Sequence, residues 1–292
     1  MGAFRSFLFA PANHPRRREK AFTLGADAVI LDLEDACAIP EKAASRPLVV
    51  EAMRAKRDCL GYVRVNALST PFAQDDIVET VRQGLDGVVL PKVESAANIA
   101  TADELIARME REHGLAARAI DLLPIIESAA GMVNLREIVR ASARVKRVAF
   151  GAADYTNDLN LTWTRDELEL LPHRAQVVLE SRAAGLESPI DTVWADVKDA
   201  EGFALSARRA RALGFQGKLC IHPDQVEVVN RAFTPSEAEV ARATRIVEAF
   251  AEAEAGGSSA IQLDGQFIDY PIMYAARRVL ETARAIAARR RA

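Results

Sequence analysis

The sequence lacks the features that mark several large protein classes. Its net charge is only −3 at pH 7 over 292 residues, and nothing in this balance suggests the basic face that nucleic-acid binding requires. No stretch approaches the roughly 18–20 consecutive apolar residues of a transmembrane helix. The N-terminal MGAFRSFLFAPANHP has no cleavage site after a long apolar region, and we interpret it as a strand rather than a signal peptide. We expect neither a nucleic-acid partner nor a membrane partner.

Zinc sites and dinucleotide motifs are also missing from the pattern. The three cysteines, Cys37, Cys59 and Cys220, form no CxxC or Cys/His metal motif. No pair among the four histidines has zinc-like spacing. No G-x-G-x-x-G follows the first predicted strand, which argues against a dinucleotide-binding fold. Few, widely spaced cysteines fit a reducing cytoplasm best.

What the chain does contain is a regular alternation of short apolar runs and longer helical segments. Half of its residues are hydrophobic, which allows a sizeable core. The alternation predicts a parallel sheet, and eight repeats favour a closed TIM-type (β/α)8 barrel over an open sheet. The predicted strands lie at 6–12, 28–36, 62–67, 87–93, 121–127, 147–154, 189–197 and 218–223.

The pattern changes after the eighth strand. A long helix is predicted at 234–255, followed by a flexible Gly-Gly-Ser-Ser hinge at 256–259. Asp264-Gly265 is typical of a hairpin turn, and a last helix is predicted at 272–291. We therefore predict a barrel at 1–233 and a C-terminal helical and hairpin extension, lid-like in character, at 234–292.

In a TIM barrel the active site lies at the carboxyl ends of the strands, and here these ends carry acidic side chains. The second strand ends in Asp32, Glu34 and Asp35. Asp32 and Glu34 are two residues apart and share one strand face, whereas Asp35 points the other way.

Two further carboxylates, Glu127 and Asp154, follow the apolar fifth and sixth strands. These strands are neighbours in a barrel, and buried carboxylates are costly unless they are paired or bound to metal. The pair would suit Mg²⁺, which takes one or two carboxylates together with water and substrate oxygens. The alternative is that both cap the helices that follow, although Ser128 could do so in place of Glu127.

Arg64 lies between two valines in the third strand. An arginine inside a barrel must meet an anion. It could pair with Asp32 or Glu34 as a structural bridge, or it could face a substrate carboxylate or a developing enolate. We favour the second interpretation.

These stretches together resemble the HpcH/HpaI aldolase and citrate lyase β-subunit family, and most closely its CoA-dependent branch. The resemblance covers nearly the whole chain in order, and its segments are RSFLFAPANHPRRREKA (5–21), AVILDLEDA (28–36), VRVNA (63–67), GVVLPKVES (87–95), LLPIIESAAG (122–131), VAFGAADYTNDL (148–159), KLCIHPDQV (218–226) and DGQFIDYPIMYAA (264–276).

The resemblance implies roles for particular residues. Glu127 and Asp154 would bind Mg²⁺, and Arg64 would contact the bound substrate and the thioester enolate. Asp32 and Glu34, with Asp35, match an acidic motif whose inward members would hold metal-bound waters or Arg64.

It also implies contributions from the two ends of the chain. The loop after the first strand, with Asn13, Arg16 and Lys20, would receive the phosphates or pantetheine of CoA. Asp269 matches an aspartate that a neighbouring subunit offers as a general acid/base. Cys37 departs from the family pattern, where a small apolar residue is expected.

The implied activity is that of a Mg²⁺-dependent carbon–carbon lyase that acts on a malyl-, citramalyl- or citryl-type acyl-CoA and works as a homotrimer or hexamer. One alternative is a class II aldolase of free hydroxy-keto acids, but LDLEDA has no histidine where that branch is expected to carry a base. The other is a citrate lyase β subunit whose substrate is held on an acyl-carrier protein.

Overall fold

The computed structural model describes residues 4–289 and contains the predicted (β/α)8 barrel. Eight parallel strands close on themselves in sequence order, because β1 pairs with both β2 and β8. The strands are β1 (Ser6–Pro11), β2 (Ala28–Asp32), β3 (Leu60–Arg64), β4 (Gly87–Leu90), β5 (Asp121–Ile126), β6 (Ala149–Phe150), β7 (Ile190–Asp191) and β8 (Gly217–Cys220).

The strands end earlier than their apolar patterns predict. β2 stops at Asp32 although the run continues to residue 36, and β7 has two residues where nine were predicted. The residues beyond each end leave the sheet and form the loops at the carboxyl end of the barrel. The apolar pattern cannot separate the two, because apolar residues such as Leu33, Val193 and Trp194 follow the strands directly and lie outside the sheet.

Helices cover the outside of the barrel and follow the strands along the chain. They are α1 (Pro15–Ala21), α2 (Lys42–Arg54), α3 (Ala73–Thr80), α4 (Ala96–Glu112), α5 (Ala129–Val133), α6 (Leu135–Ile138), α7 (Ala152–Asp158), α8 (Leu171–Ala183), α9 (Ala200–Leu213) and α10 (Pro223–Phe233), with short 3-10 turns at Ile39–Glu41 and Leu168–Leu170. Gly214 ends α9 at φ 105°, a left-handed conformation that glycine adopts at little cost.

The barrel interior is filled by alternate side chains of the strands. One buried cluster includes Phe7, Ile30, Tyr62, Leu123 and Leu219, which are at most 2% exposed. Since successive residues of a strand point to opposite sides, the residues between these pack under the helices.

The chain divides into two compact units, Phe4–Arg231 and residues 232–289 of the described chain. The second unit contains α11 (Glu237–Ala255), the antiparallel strands β9 (Ile261–Leu263) and β10 (Gln266–Ile268), and α12 (Tyr270–Arg289). Ile246, Phe250 and Met273 are among the residues of its own small core. The predicted helix at 272–291 is observed as α12, and positions 290–291 lie outside the described residues.

The predicted hairpin turn in the second unit is confirmed. β9 and β10 pair through a two-residue loop, in which Asp264 has φ 52° and Gly265 has φ 77°. Positive φ at both positions is the conformation that Asp-Gly turns favour. Among residues 4–289, no helix combines the length and the apolar character needed to cross a membrane.

Candidate active site

The carboxyl ends of the strands surround a cavity of about 540 Å³. Four predicted site residues line it: Asp32 at the end of β2, Arg64 at the end of β3, Glu127 directly after β5, and Asp154 in the first turn of α7. Phe9, Ile125, Leu219 and other apolar residues form the rest of the wall. The barrel thus brings together residues that are up to 122 positions apart in the sequence.

Arg64 is held by the acidic residues of the second strand. Asp32 is its register partner across β2 and β3, and it accepts hydrogen bonds from Nε at 2.7 Å and Nη2 at 2.6 Å. Glu34 Oε2 lies 3.0 Å from Nη1. The guanidinium also lies over the Phe9 ring, 4.7 Å from its centroid. Asp32 therefore occupies one edge of the fork, and Nη1 remains available beside Glu34.

The charges of this cluster support one another. Burial alone would raise the pKa of Asp32, but the Arg64 guanidinium outweighs it and holds that pKa below its usual value. Burial would likewise lower the pKa of Arg64, and Asp32 and Glu34 raise it instead. Arg64 thus stays positively charged, and Asp32 negatively charged, at any physiological pH.

Glu34 has a different balance of interactions. Burial raises its pKa despite the nearby Arg64 and a 2.8 Å ion pair with Lys92 Nζ. Asp35, by contrast, is exposed and lies 3.7 Å from Arg64. The predicted division by strand face, with Asp32 and Glu34 on one side and Asp35 on the other, is not observed. β2 ends at Asp32, all three carboxylates contact Arg64, and Asp35 also lines the cavity.

Glu127 is a buried carboxylate that forms no ion pair within the described residues. Its Oε1 accepts the backbone N–H of Lys92 at 2.7 Å. Burial, together with the negative charges of Glu34 and Asp154, raises the pKa of Glu127 to about 8. A carboxylate at this position is costly to ionise without a cation beside it.

Asp154 is the third residue of α7 and is half-buried. Within residues 4–289 its carboxylate forms no hydrogen bond or ion pair, and it does not cap α7. Glu127 and Asp154 therefore present two carboxyl groups to one cavity, neither of them paired with a cation among the described residues. No set of three or more His, Cys, Asp or Glu side chains in this part of the chain could enclose a metal by itself. Two carboxylates with water and substrate oxygens are what Mg²⁺ uses, so the donor set fits that ion.

Lys92 is a site residue whose role the sequence pattern did not indicate. Its φ of 52° is rare for a residue other than glycine. This conformation turns its N–H toward Glu127, while its ammonium reaches Glu34. One residue thus contacts both buried glutamates. The available signal in the sequence is a lysine directly after Pro91, where the apolar run of the fourth strand ends.

The loop after β1 and the helix α1 that follows it contribute different residues to the cavity from those predicted. His14 and Arg17 line it. Arg16 and Lys20 are exposed, and Asn13 donates a hydrogen bond to Glu41. Among the described residues, the cavity lining includes none of these three. Their proposed contact with CoA stays a prediction.

Asp269 belongs to the second compact unit. It lies between β10 and α12, and its Oδ1 accepts the N–H of Ile272 at 3.3 Å. Within its own unit it thus caps α12. Cys37, the departure from the family pattern, is buried with its Sγ 3.5 Å from Ser45 Oγ.

Comparison with known proteins gives consistent matches. The family model described as HpcH/HpaI aldolase/citrate lyase matches residues 5–223. A citrate lyase subunit beta of Leuconostoc mesenteroides subsp. cremoris is 38% identical over 287 residues, which cover 96% of this chain and 93% of that protein. An L-malyl-CoA/beta-methylmalyl-CoA lyase of Cereibacter sphaeroides is 35% identical over 306 residues, covering 97% and 96% of the two chains.

A solved structure shows the same relation. The protein CitE of Mycobacterium tuberculosis, crystallised with magnesium, acetoacetate and coenzyme A, superimposes with a TM-score of 0.78 at 31% identity. The match covers 96% of this chain and 98% of that one.

Proposed function

The chain belongs to the HpcH/HpaI aldolase/citrate lyase family, and from this premise we propose that it is a Mg²⁺-dependent lyase that cleaves, or forms, the carbon–carbon bond of a malyl-, citramalyl- or citryl-type acyl-CoA. The products would be an acyl-CoA and a 2-keto acid. The relatives named as lyases support the bond type, and the relative crystallised with magnesium and coenzyme A supports both ligands.

One observation carries the proposal: Glu127 and Asp154 place two carboxyl groups without a cationic partner among the described residues at the cavity that Arg64 also lines. The two carboxylates would hold the metal. When bound, Mg²⁺ would polarise the hydroxyl or keto oxygen of the acyl group.

Arg64 would stabilise the charge that forms as the bond breaks. In cleavage a base would take the hydroxyl proton, the oxygen would become the keto oxygen of the 2-keto acid, and the electrons of the breaking carbon–carbon bond would move into the thioester to give an enolate. Asp32 binds Nε and Nη2, so the guanidinium is already oriented, and Nη1 can donate to the enolate oxygen. Glu34 would keep Nη1 in place.

The enolate carbon must then gain a proton to complete the acyl-CoA product. Asp269 is the proposed donor, offered by a neighbouring subunit of a homotrimer or hexamer. Its extension at 234–292, with the hinge at 256–259, would act as the lid. The loop with Asn13, Arg16 and Lys20 would receive CoA. The cytoplasm is the proposed compartment, on the sequence evidence.

The test is an assay of a panel of acyl-CoA thioesters with Mg²⁺ and with EDTA. We expect 2-keto acid release from at least one thioester, and its loss in EDTA and in Glu127→Gln or Asp154→Asn. Full activity of EDTA-treated enzyme would exclude the metal role.

The similarity to citrate lyase subunit beta favours a second candidate, in which an acyl-carrier protein holds the substrate. The discriminating measurement is calorimetric titration with free CoA, together with native mass spectrometry. An enzyme that does not bind free CoA, and that turns over only a substrate held on a carrier protein, would be of this second kind.

A further inference from the structure

The helix that carries Asp154 has no cap of its own. α7 begins at Ala152, directly after Gly151, and no side chain within the turn accepts its first N–H groups. These groups are the unsatisfied donors of any helix start, and buried ones require an acceptor.

Gly151 cannot be replaced by one of the usual capping residues. A Cβ at this position would lie 2.5 Å from Glu127 Oε2 and 2.7 Å from Glu127 Cβ. Serine, threonine, aspartate and asparagine, the usual caps, are all excluded by the close approach of Glu127. The acceptor must therefore come from another element.

Thr192 supplies that acceptor from the loop after β7. Its Oγ1 accepts the Ala152 N–H at 2.8 Å, and both residues are fully buried. The preceding Asp191 is bound by Arg174 at 2.8 and 3.0 Å and by Lys218 at 2.5 Å. The backbone that carries Thr192 is thus held by two buried cations.

We propose that Thr192 is a positioning residue for the metal-binding carboxylates: by capping α7 from the loop after β7, it fixes where Asp154 lies relative to Glu127. The Asp154 side chain has no hydrogen bond among residues 4–289 to hold it. The position of Asp154 therefore depends on the first turn of α7. Thr192 binds the N–H of Ala152, which lies in that turn two residues before Asp154. The inference rests on the proposed function of Glu127 and Asp154.

Thr192→Val removes the hydroxyl and keeps the shape, which leaves the buried Ala152 N–H without an acceptor. We expect the Mg²⁺ dissociation constant to rise about 10- to 100-fold, as is usual when a group that orients a metal ligand is lost. Thr192→Ser keeps the acceptor and should restore most of the affinity.

Thr80→Val is the matched control. Thr80 is also buried and makes one hydrogen bond, from Oγ1 to the Asp76 carbonyl at 2.6 Å inside α3. The same chemical change there should leave the Mg²⁺ affinity unaltered.

The experiment combines three measurements on the full chain. Calorimetry with Mg²⁺ alone gives the affinity. Turnover at increasing Mg²⁺ should show a raised half-saturation in Thr192→Val with kcat largely recovered at saturation. Hydrogen exchange without metal should show the Ala152 amide opening faster, on the order of tenfold.

Wild-type Mg²⁺ affinity in Thr192→Val, at an unchanged melting temperature, would overturn the inference alone, as would a Thr192→Ser variant no better than valine. A wild type that binds no Mg²⁺ would overturn the proposed function and the inference with it. Should Thr192→Val not fold, Thr192→Ala removes the same hydroxyl without adding a group, and the same comparisons decide.

Discussion

Glu127→Gln should make the metal-free protein more stable while it removes Mg²⁺ binding. In the metal-free state, burial and the neighbouring Glu34 and Asp154 raise the pKa of Glu127 from 4.5 to about 8. The folded state therefore favours the protonated form. The stability that this contributes is fully present below about pH 4.5 and is lost as the pH rises through about 8.

The size of the effect follows from the pKa. At about 1.4 kcal/mol for each tenfold change in an ionisation constant, the rise corresponds to about 5 kcal/mol at most. Charges at buried sites interact as though in a medium of higher effective dielectric constant than dry protein, so we expect the metal-free wild type to lose about 2–4 kcal/mol between pH 5 and pH 8. Glutamine is neutral throughout and still accepts the Lys92 N–H.

Thermal unfolding in EDTA measures this difference. At pH 8 the variant should melt about 4–8 °C above the wild type, since one kcal/mol is worth about 2 °C or more in a protein of this size. At pH 5 the two should melt nearly together. Added Mg²⁺ should stabilise the wild type at pH 8 and leave the variant unchanged. Below about pH 8 the affinity of the wild type should fall, because the metal must displace a proton.

Glu110→Gln provides a control of opposite sign. Glu110 is buried as well, but Arg144 and two backbone N–H groups overcome the effect of burial and lower its pKa. The ionised Glu110 stabilises the fold at pH values above the pKa that this group has in the unfolded chain. Replacing it by glutamine should therefore destabilise the protein at pH 8. A wild type that melts with or above Glu127→Gln in EDTA at pH 8 would refute the reasoning.

Three further substitutions test the rest of the site. Arg64→Lys keeps the charge but loses the fork that binds both oxygens of Asp32, so turnover should fall about 100-fold; retained turnover beside a large fall in melting temperature would make Arg64 a structural bridge. Gly151→Ala places a Cβ 2.5 Å from Glu127 Oε2, and calorimetry should show Mg²⁺ binding weakened about tenfold or more; unchanged affinity would contradict that approach. Asp269→Ala should keep CoA binding and lose about 100-fold in turnover. Mixing it with Glu127→Gln subunits should restore activity, and mixed oligomers without activity would refute a donor from the neighbouring subunit.

The sequence by itself determined the barrel fold, and it indicated which acidic residues lie at the carboxyl ends of the strands. Eight apolar runs separated by helical segments leave few other folds, because parallel strands need crossover helices. Consecutive strands of such a barrel are neighbours, so Glu127 and Asp154 were predicted to meet from their order alone. Arg64 and Asp32 were placed at adjacent strand ends for the same reason.

The sequence did not indicate which side chains of a loop or a helix face the cavity. Arg16, Arg17 and Lys20 are all basic and close in sequence, yet only Arg17 of the three lines the cavity. Successive residues of a helix are turned by about 100°, so the packing of α1 decides which of them faces the site. Composition cannot decide it.

The roles of Lys92, Gly151 and Thr192 are visible only in the tertiary structure. Each acts through the backbone or through one hydroxyl: an N–H turned toward Glu127, a missing Cβ beside it, and an oxygen that caps α7. None of these roles has a periodic or compositional signal in the sequence. The contacts of Lys92 and Thr192 join residues that are 35 and 40 positions apart. Gly151 is required because the nearby Glu127 leaves no room for a Cβ. The sequence selects which side chains reach the barrel mouth, and the close packing of its loops decides how they are held.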